Sequence, residues 1–475
     1  MVKAMIWKLL ERFGVQGVQF VLQIILARLL SPENYGTLAI MIIFVNLATV
    51  FIQTGFSTAL IQNKDVTEED YSSVLWVTIS IAVVLYGIIF FASPFIGDFY
   101  SKPELVAPLR VMALMLFPGA LNSIQLAKVS RELNFKKVFY SNVAAIVFAG
   151  GVGVVVALLG GGLWALVAQT MLNTFIAAAV MTFTAKIRIR FTVNFARVKA
   201  LFSFGWKILV SGLIDTLYLD ISSLVIGAKY SPDTLGFYNR GKQFPQFIIN
   251  GANGAVQSVM LPSLSEKQTE RDTMKNIMRN AVTMSGYIIF PIMLGLASVA
   301  TPMVKFLLTE KWLPCVPYLQ IYCLSLVFTP VHSCNLQAIN ALGRSDVFLK
   351  LEIIKKVYGI IALVIAIVCF DSPIAIAVSG VVTTFISFFV NAFPNKKLIN
   401  YSYFEQIKDI FPSFLVAILM CVCVTCVGFL GLGTVATLAL QVVVGVTVYI
   451  LLSALLRLKP FIQIISILKN FGGIR

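Results

Sequence analysis

The chain has 475 residues, 59% of them hydrophobic and only 12% charged, with a mean hydropathy of +0.90. A soluble domain carries roughly 25% charged residues, so a fold with water on all sides is excluded and lipid must cover much of this one. The net charge of +16, from 37 Lys and Arg against 21 Asp and Glu, has no basic soluble segment to carry it. It therefore points to cytoplasmic membrane loops and away from nucleic acid.

Runs of about twenty mostly apolar residues predict an all-α integral membrane protein with about fourteen spans. They fall at 13–30, 36–61, 71–96, 105–129, 138–159, 162–185, 202–227, 234–260, 276–302, 313–340, 347–370, 372–393, 410–430 and 433–456. The connections are short and leave no room for a separate soluble domain. The N-terminus has no short apolar core followed by a cleavage site, so no removable signal is expected. With both termini on one side, that side collects 28 Lys and Arg and the other side five: Arg28, Lys102, Lys229, Lys305 and Lys311. The bias predicts that both termini are cytoplasmic.

The chain repeats itself. Ser31-Pro32-Glu33-Asn34-Tyr35-Gly36 follows the first span, and Ser231-Pro232-Asp233-Thr234-Leu235-Gly236 follows the seventh. Each reads as a helix start, with an N-cap, a proline in the first turn and a carboxylate at the positive end of the helix. A second echo pairs Pro118 and Gln125 in the fourth span with Pro330 and Gln337 in the tenth. Two copies of six helices enter the membrane in the same sense, so a parallel pseudo-two-fold repeat with a central site is expected. The predicted division is an N-lobe at 1–200 (spans 1–6), a C-lobe at 201–400 (spans 7–12), and 401–475 holding spans 13–14 and a cytoplasmic tail.

Polar faces recur inside the spans. In the eighth, Asn239, Gln243, Gln246, Asn250, Asn253 and Gln257 are spaced 4, 3, 4, 3, 4 and fall within about 80° of one another on a helix. The first span carries Gln16, Gln19 and Gln23, and the second Asn46 and Gln53; the seventh carries Lys207, Ser211 and Asp215. Lipid satisfies no amide, so these faces meet protein or water. They are either hydrogen-bonding glue between helices or the wall of a wet cavity, and the length of the eighth-span row favours the cavity. Charges within spans cost about 2.5–3.5 kcal/mol or more at a helix centre. Arg110, Lys207, Arg240 and Lys242 give a basic excess that suits an anionic group such as a diphosphate. Asp215 either pairs with a cavity cation or binds a coupling H+ or Na+. The sole histidine, His332, is expected to be packed or hydrogen-bonded.

No Gly-rich phosphate loop, histidine cluster or paired loop carboxylates is present, so no enzyme, cofactor or metal site is expected. The seven cysteines, including Cys423 and Cys426 in a CxxC, lie in or beside apolar runs and read as small hydrophobes.

The stretches Arg28-Leu-Leu-Ser-Pro-Glu-Asn-Tyr-Gly36, Phe56-Ser-Thr-Ala-Leu-Ile-Gln62, Leu235-Gly-Phe-Tyr-Asn-Arg-Gly-Lys242 and Glu310-Lys311-Trp312 with Pro317-Tyr-Leu-Gln320 resemble the bacterial polysaccharide exporter family, in its branch of colanic-acid-exporter-like proteins. That family lies within the multidrug/oligosaccharidyl-lipid/polysaccharide superfamily. The resemblance spans nearly the whole chain. It implies a two-lobed, fourteen-helix transporter of the bacterial cytoplasmic membrane that flips an undecaprenyl-diphosphate-linked oligosaccharide by alternating access. It also implies that Arg110, Lys207, Arg240 and Lys242 hold the diphosphate while the amide rows meet sugar hydroxyls. Two alternatives on the same fold stay open: an antiporter of drugs or organic cations, and a flippase for lipid-linked peptidoglycan precursor. The expected partners are the lipid-linked oligosaccharide, membrane lipids and a coupling ion; a monomer is compatible with all three readings.

Overall fold

The computed structural model describes residues 2–472 other than 64, 186 and 188, with the side chains of 2–13, 204, 255, 258, 467, 468 and 470–472 outside the description. The charges at Lys3, Lys8, Arg12, Lys64, Lys186, Arg188 and Arg475, counted in the charge bias above, therefore lie outside the described residues. All the regular structure among the described residues is helical, with no strand among them. The chain forms two compact units, Met1–Gly236 and Phe237–Arg475.

The first unit contains α1 (Val2–Leu29), α2 (Pro32–Gln62), α3 (Glu68–Phe99), α4 (Val106–Ala113), α5 (Leu116–Arg131), α6 (Phe135–Leu158), α7 (Leu163–Ala185), α8 (Phe195–Lys229) and the first turn of α9 (Pro232–Ser265). The rest of α9 opens the second unit. It is followed by α10 (Arg271–Ser298), α11 (Ala300–Leu308), α12 (Val316–Leu326), α13 (Thr329–Ala341), α14 (Ser345–Cys369), α15 (Pro373–Ile399), α16 (Tyr403–Val427), α17 (Thr434–Leu455) and α18 (Lys459–Gly472). Eleven of the described helical segments are long and apolar enough to cross a membrane, and the chain is a multi-pass membrane protein. The other three predicted spans are helices too: α1, with a shorter apolar stretch at Gly14–Leu29, the more polar α9, and α14, apolar but with Lys350, Glu352, Lys355 and Lys356 in its first half.

Prolines explain where spans break. A proline ring collides with the carbonyl four residues earlier and cannot donate to it. Pro118 puts that point at Leu114, between α4 and α5, and Pro330 puts it at Leu326, the last residue of α12. The proline echo seen in the sequence is thus a pair of broken spans. Pro302 ends α10 at Ser298 in the same way.

The repeated Ser-Pro-acid motif forms helix caps as expected. Ser31 Oγ accepts from Asn34 N (3.3 Å), and Ser231 Oγ accepts from Thr234 N (3.2 Å). The motif also meets its own copy. A methyl group on Gly36 would overlap the Pro232 carbonyl oxygen and lie 2.5 Å from its carbon; one on Gly236 would overlap the Pro32 carbonyl oxygen and lie 3.0 Å from its carbon. Each glycine is the room for the other copy's proline. From there α2 and α8 run antiparallel along their whole length. Gly227 packs near Ile40, Gly212 near Val50 and Thr54, and Gly205 against Gly55, where a Cβ on either glycine would stand 2.7–3.1 Å from the other's carbonyl oxygen. Small residues let membrane helices approach backbone to backbone. The seventh predicted span, α8, thereby packs along α2 within the first unit.

Ion pairs tie helix ends together on the predicted cytoplasmic side. Arg197 Nη1 donates to Asp70 Oδ2 (2.6 Å), and Lys128 pairs with Glu68 (2.9 Å). Arg131 Nη1 donates to the carbonyls of Leu60 (2.8 Å) and Asn63, at the end of α2, where carbonyls lack intrahelical donors. In the second unit Lys275 pairs with Glu405 (2.8 Å) and Arg279 with Asp409 (2.6 Å), docking α10 on the start of α16.

Candidate substrate path

Two groups of amides in this chain contrast. The first is buried and bonded. Asn335 and Gln406 exchange reciprocal amide bonds (2.8 and 2.9 Å), and Asn395 Nδ2 donates to Asn335 Oδ1 (2.6 Å). All three are wholly buried and join α13, α15 and α16. His332 belongs with them: it is 8% exposed, packs against the Phe388 ring and lies 3.5 Å from Asn391 Nδ2. These residues are glue, as is Gln441, whose Nε2 donates to Val424 O (3.1 Å).

The second class is the set of rows predicted to line a cavity, and no member of it is buried. Gln16, Gln23, Asn239, Gln243, Gln246 and Asn253 are half-buried; Gln19, Asn46, Gln53, Asn250 and Gln257 are exposed. On α9, Gln246 Nε2 donates to Asn250 Oδ1 (2.8 Å) along the row, and Asn253 accepts from Ser333 Oγ (3.0 Å). Whatever donor and acceptor capacity these amides do not satisfy within the protein needs water or a polar ligand, because lipid offers neither donor nor acceptor.

The four predicted basic residues stand in different settings. Arg110 Nε donates to Ser93 Oγ (2.9 Å) and Phe90 O (3.2 Å), with its guanidinium 4.1 Å above the Phe90 ring. Lys207 is exposed on α8, as is Asp215 eight residues later. Arg240 is only 4% exposed: Nη1 donates to Gln243 Oε1 (2.6 Å) and the guanidinium lies 5.0 Å from the ring of Trp312, itself wholly buried. The neighbouring Gly241 accounts for this burial. A Cβ there would stand 2.6 Å from Tyr318 Cβ and 2.9 Å from Cys315 O, so α9 presses directly onto the start of α12. Lys242 is half-buried, 5.9 Å from the Tyr322 ring.

The second unit also holds an apolar groove of about 420 Å³, walled by Pro291, Ile292 and Leu296 of α10, Met420 and Val424 of α16, and Val442, Val446 and Ile450 of α17, with Ile248 of α9 at its edge. Polar groups in this wall are turned into the packing: Tyr449 OH donates to Tyr287 O (2.7 Å), and Gln441 bonds Val424 as above. Gly445 brings α17 close to α16, where a Cβ would stand 3.1 Å from Val424 Cγ2. The face left open is carbon.

The sequence model of the polysaccharide biosynthesis protein family matches residues 25–317. The chain belongs to that family. Among its relatives are the succinoglycan biosynthesis transport protein ExoT of Rhizobium meliloti (25% identity over 68% of this chain and 66% of that one) and the teichuronic acid biosynthesis protein TuaB of Bacillus subtilis (26%, over 63% and 62%). The lipopolysaccharide biosynthesis protein WzxC of Escherichia coli is 23% identical over 76% of this chain and 73% of its own length. The matched region thus spans a little under two thirds of the first two relatives. In fold, the chain is similar to the lipid II flippase MurJ in its inward closed conformation (TM-score 0.76, 15% identity, 96% and 99% of the two chains). It is also similar to an inward-facing multidrug resistance MATE transporter (0.61, 16%, 83% and 99%).

Two features of this family member were not read from its sequence. The apolar groove is invisible there because every membrane helix is apolar on some face, and only packing shows which faces stay open. The glycines of α2 and α8 did carry a signal, since Gly36 and Gly236 close the two copies of one motif, but the sequence does not say that the copies touch.

Proposed function

We propose that this chain flips an undecaprenyl-diphosphate-linked oligosaccharide from the cytoplasmic to the outer leaflet of a bacterial cytoplasmic membrane by alternating access, with both termini cytoplasmic and α1, α9 and α14 also crossing the bilayer. The carrying observation is the division of the amides: the rows on α1, α2 and α9 stay out of the packed interior while other amides are buried and bonded. A row of amides offers donors and acceptors at many angles, which sugar hydroxyls require. The groove of α10, α16 and α17 supplies the apolar surface that a polyprenyl chain needs while its headgroup is moved. Family membership supports the same reading.

Arg110, Lys207, Arg240 and Lys242 are the proposed diphosphate contacts, and Asp215 the proposed site of a coupling H+ or Na+. Lys207 is accessible in the described state. Arg240 reaches a substrate only after α9 moves off Trp312, so its contact belongs to another step of the cycle. A lipid-linked peptidoglycan precursor has the same tail and diphosphate and differs in its headgroup. An organic cation would favour acids in the path, where Asp215 is outnumbered by bases.

The test is flipping in liposomes of a labelled undecaprenyl-diphosphate oligosaccharide, with Lys207→Ala and Arg240→Ala as variants. The proposal expects flipping by the native chain and loss in both variants. Normal flipping in both removes the diphosphate assignment. Transport of organic cations or of peptidoglycan precursor, with no oligosaccharide flipping, replaces the substrate.

A further inference from the structure

A second groove, of about 440 Å³, lies in the first unit. It is lined by Trp76, Val77, Ser80, Ile81, Val84 and Leu85 of α3, closed on one side by Val193 and Phe195. The connection from α7 to α8 is fastened there by its backbone. Arg190 N donates to Ser72 Oγ (3.0 Å), Asn194 N donates to Ser73 Oγ (3.0 Å), and Trp76 Nε1 donates to Arg190 O (3.0 Å). Phe191 stacks on Trp76 at 4.8 Å. The wall is therefore built and held, and it fixes where the backbone of Arg190 stands.

Those charges are all of one sign. Residues 186–199 contain Lys186, Arg188, Arg190, Arg197 and Lys199 and no acid. Arg197 is taken by Asp70. Arg190 and Lys199 are exposed, the first bonded through its carbonyl to Trp76 and the second one helical turn beyond Phe195, on the same face of α8. The exposed Glu69 stands about 10 Å before Trp76 along α3 and one helical turn before Ser72, which holds Arg190 N. It therefore borders the mouth on its outer side, where the bases outnumber it. From Trp76 to Leu85 the groove follows α3 for about 13 Å, close to half of the roughly 30 Å hydrocarbon core. Its length is that of one leaflet. Its mouth, at the Trp76 end, is basic and carries the aromatic residue typical of a headgroup boundary.

We propose that this groove binds an anionic phospholipid of the cytoplasmic leaflet, with one acyl chain along α3 and the phosphate held by Arg190 and Lys199. A bound lipid would brace the α7–α8 connection against α3. The site depends on the orientation proposed above only for the identity of the leaflet. Binding is read without transport, so failure of this site and failure of the flipping reading are separable.

The experiment is native mass spectrometry of the purified full-length chain titrated with phosphatidylglycerol and with phosphatidylcholine of the same acyl chains. The native chain should prefer phosphatidylglycerol. A basic residue near an anionic surface contributes about fivefold, so Arg190→Ser with Lys199→Ser should weaken phosphatidylglycerol by about thirtyfold and leave phosphatidylcholine unchanged. Arg190→Lys with Lys199→Arg should keep the preference, which separates lost charge from misfolding. Ser80→Trp, which fills the groove, should weaken both lipids. An unchanged preference in the double serine variant overturns the proposal, as does a native chain with no preference. Loss of the preference only on changing Lys459 and Lys469 moves the lipid to α18 and also overturns it.

Discussion

Gly36→Ala probes the contact between the two motif copies. The added methyl would lie 2.5 Å from Pro232 C and 3.0 Å from its Cα, whereas carbon atoms rest at about 3.5–4.0 Å. The Pro232 carbonyl oxygen stands closer still. The neighbour is backbone, with no rotamer to turn aside, so α2 must move off the first turn of α9 by considerably more than about 1 Å. Overpacking of this kind costs roughly 1–3 kcal/mol. The better helix propensity of alanine returns about 1 kcal/mol, leaving a net loss of up to about 2 kcal/mol. Gly87→Ala in α3 is the control: a Cβ there meets nothing within 4 Å, so only the propensity gain remains. Thermal unfolding of the purified chain should place Gly36→Ala below the native protein and Gly87→Ala at or above it. Gly236→Ala should lose a similar amount, and the double variant less than the sum, because one displacement of α2 accommodates both methyls. Equal melting of Gly36→Ala and the native chain would refute the backbone contact.

Arg131→Ala removes the donor to the Leu60 and Asn63 carbonyls; a loss of about 1–3 kcal/mol is expected, with faster proteolysis after α2 as the readout. Asn335→Leu strands the buried partners Gln406 and Asn395 and should lower the melting temperature, whereas Asn250→Leu, at an exposed row position, should leave stability nearly unchanged while reducing flipping. Val446→Trp fills the groove of α10, α16 and α17 from an exposed position; it should impair flipping of a full-length polyprenyl substrate more than that of a short-chain analogue, measured side by side in liposomes.

The helices were legible because their cause is local. A run of twenty apolar residues satisfies its own backbone in lipid only as a helix. Where a proline interrupts that helix it does so four residues upstream, as at Pro118 and Pro330, whereas Pro94, Pro291 and Pro412 lie inside unbroken helices. The two Ser-Pro-acid caps were legible for the same reason, since a serine side chain reaches only the next few backbone amides.

The amide faces were half legible. Spacing placed Asn239 through Gln257 on one side of α9, but spacing reports a face and not what the face meets. The same residue type became glue at Asn335 and Asn395 and stayed unburied at Asn250, according to which neighbour arrived. Arg240 and Lys242 share one short motif in sequence, yet the glycine between them lets α12 close over the first and leaves the second half-buried. By itself, then, the sequence determined a membrane-embedded bundle of helices, their caps and breaks, and which residues bear polar groups, because each of these follows from interactions within a few turns. The tertiary structure alone decided that the two motif copies interlock, which cations are covered, and where apolar grooves stay open, because those depend on the approach of helices far apart in the chain.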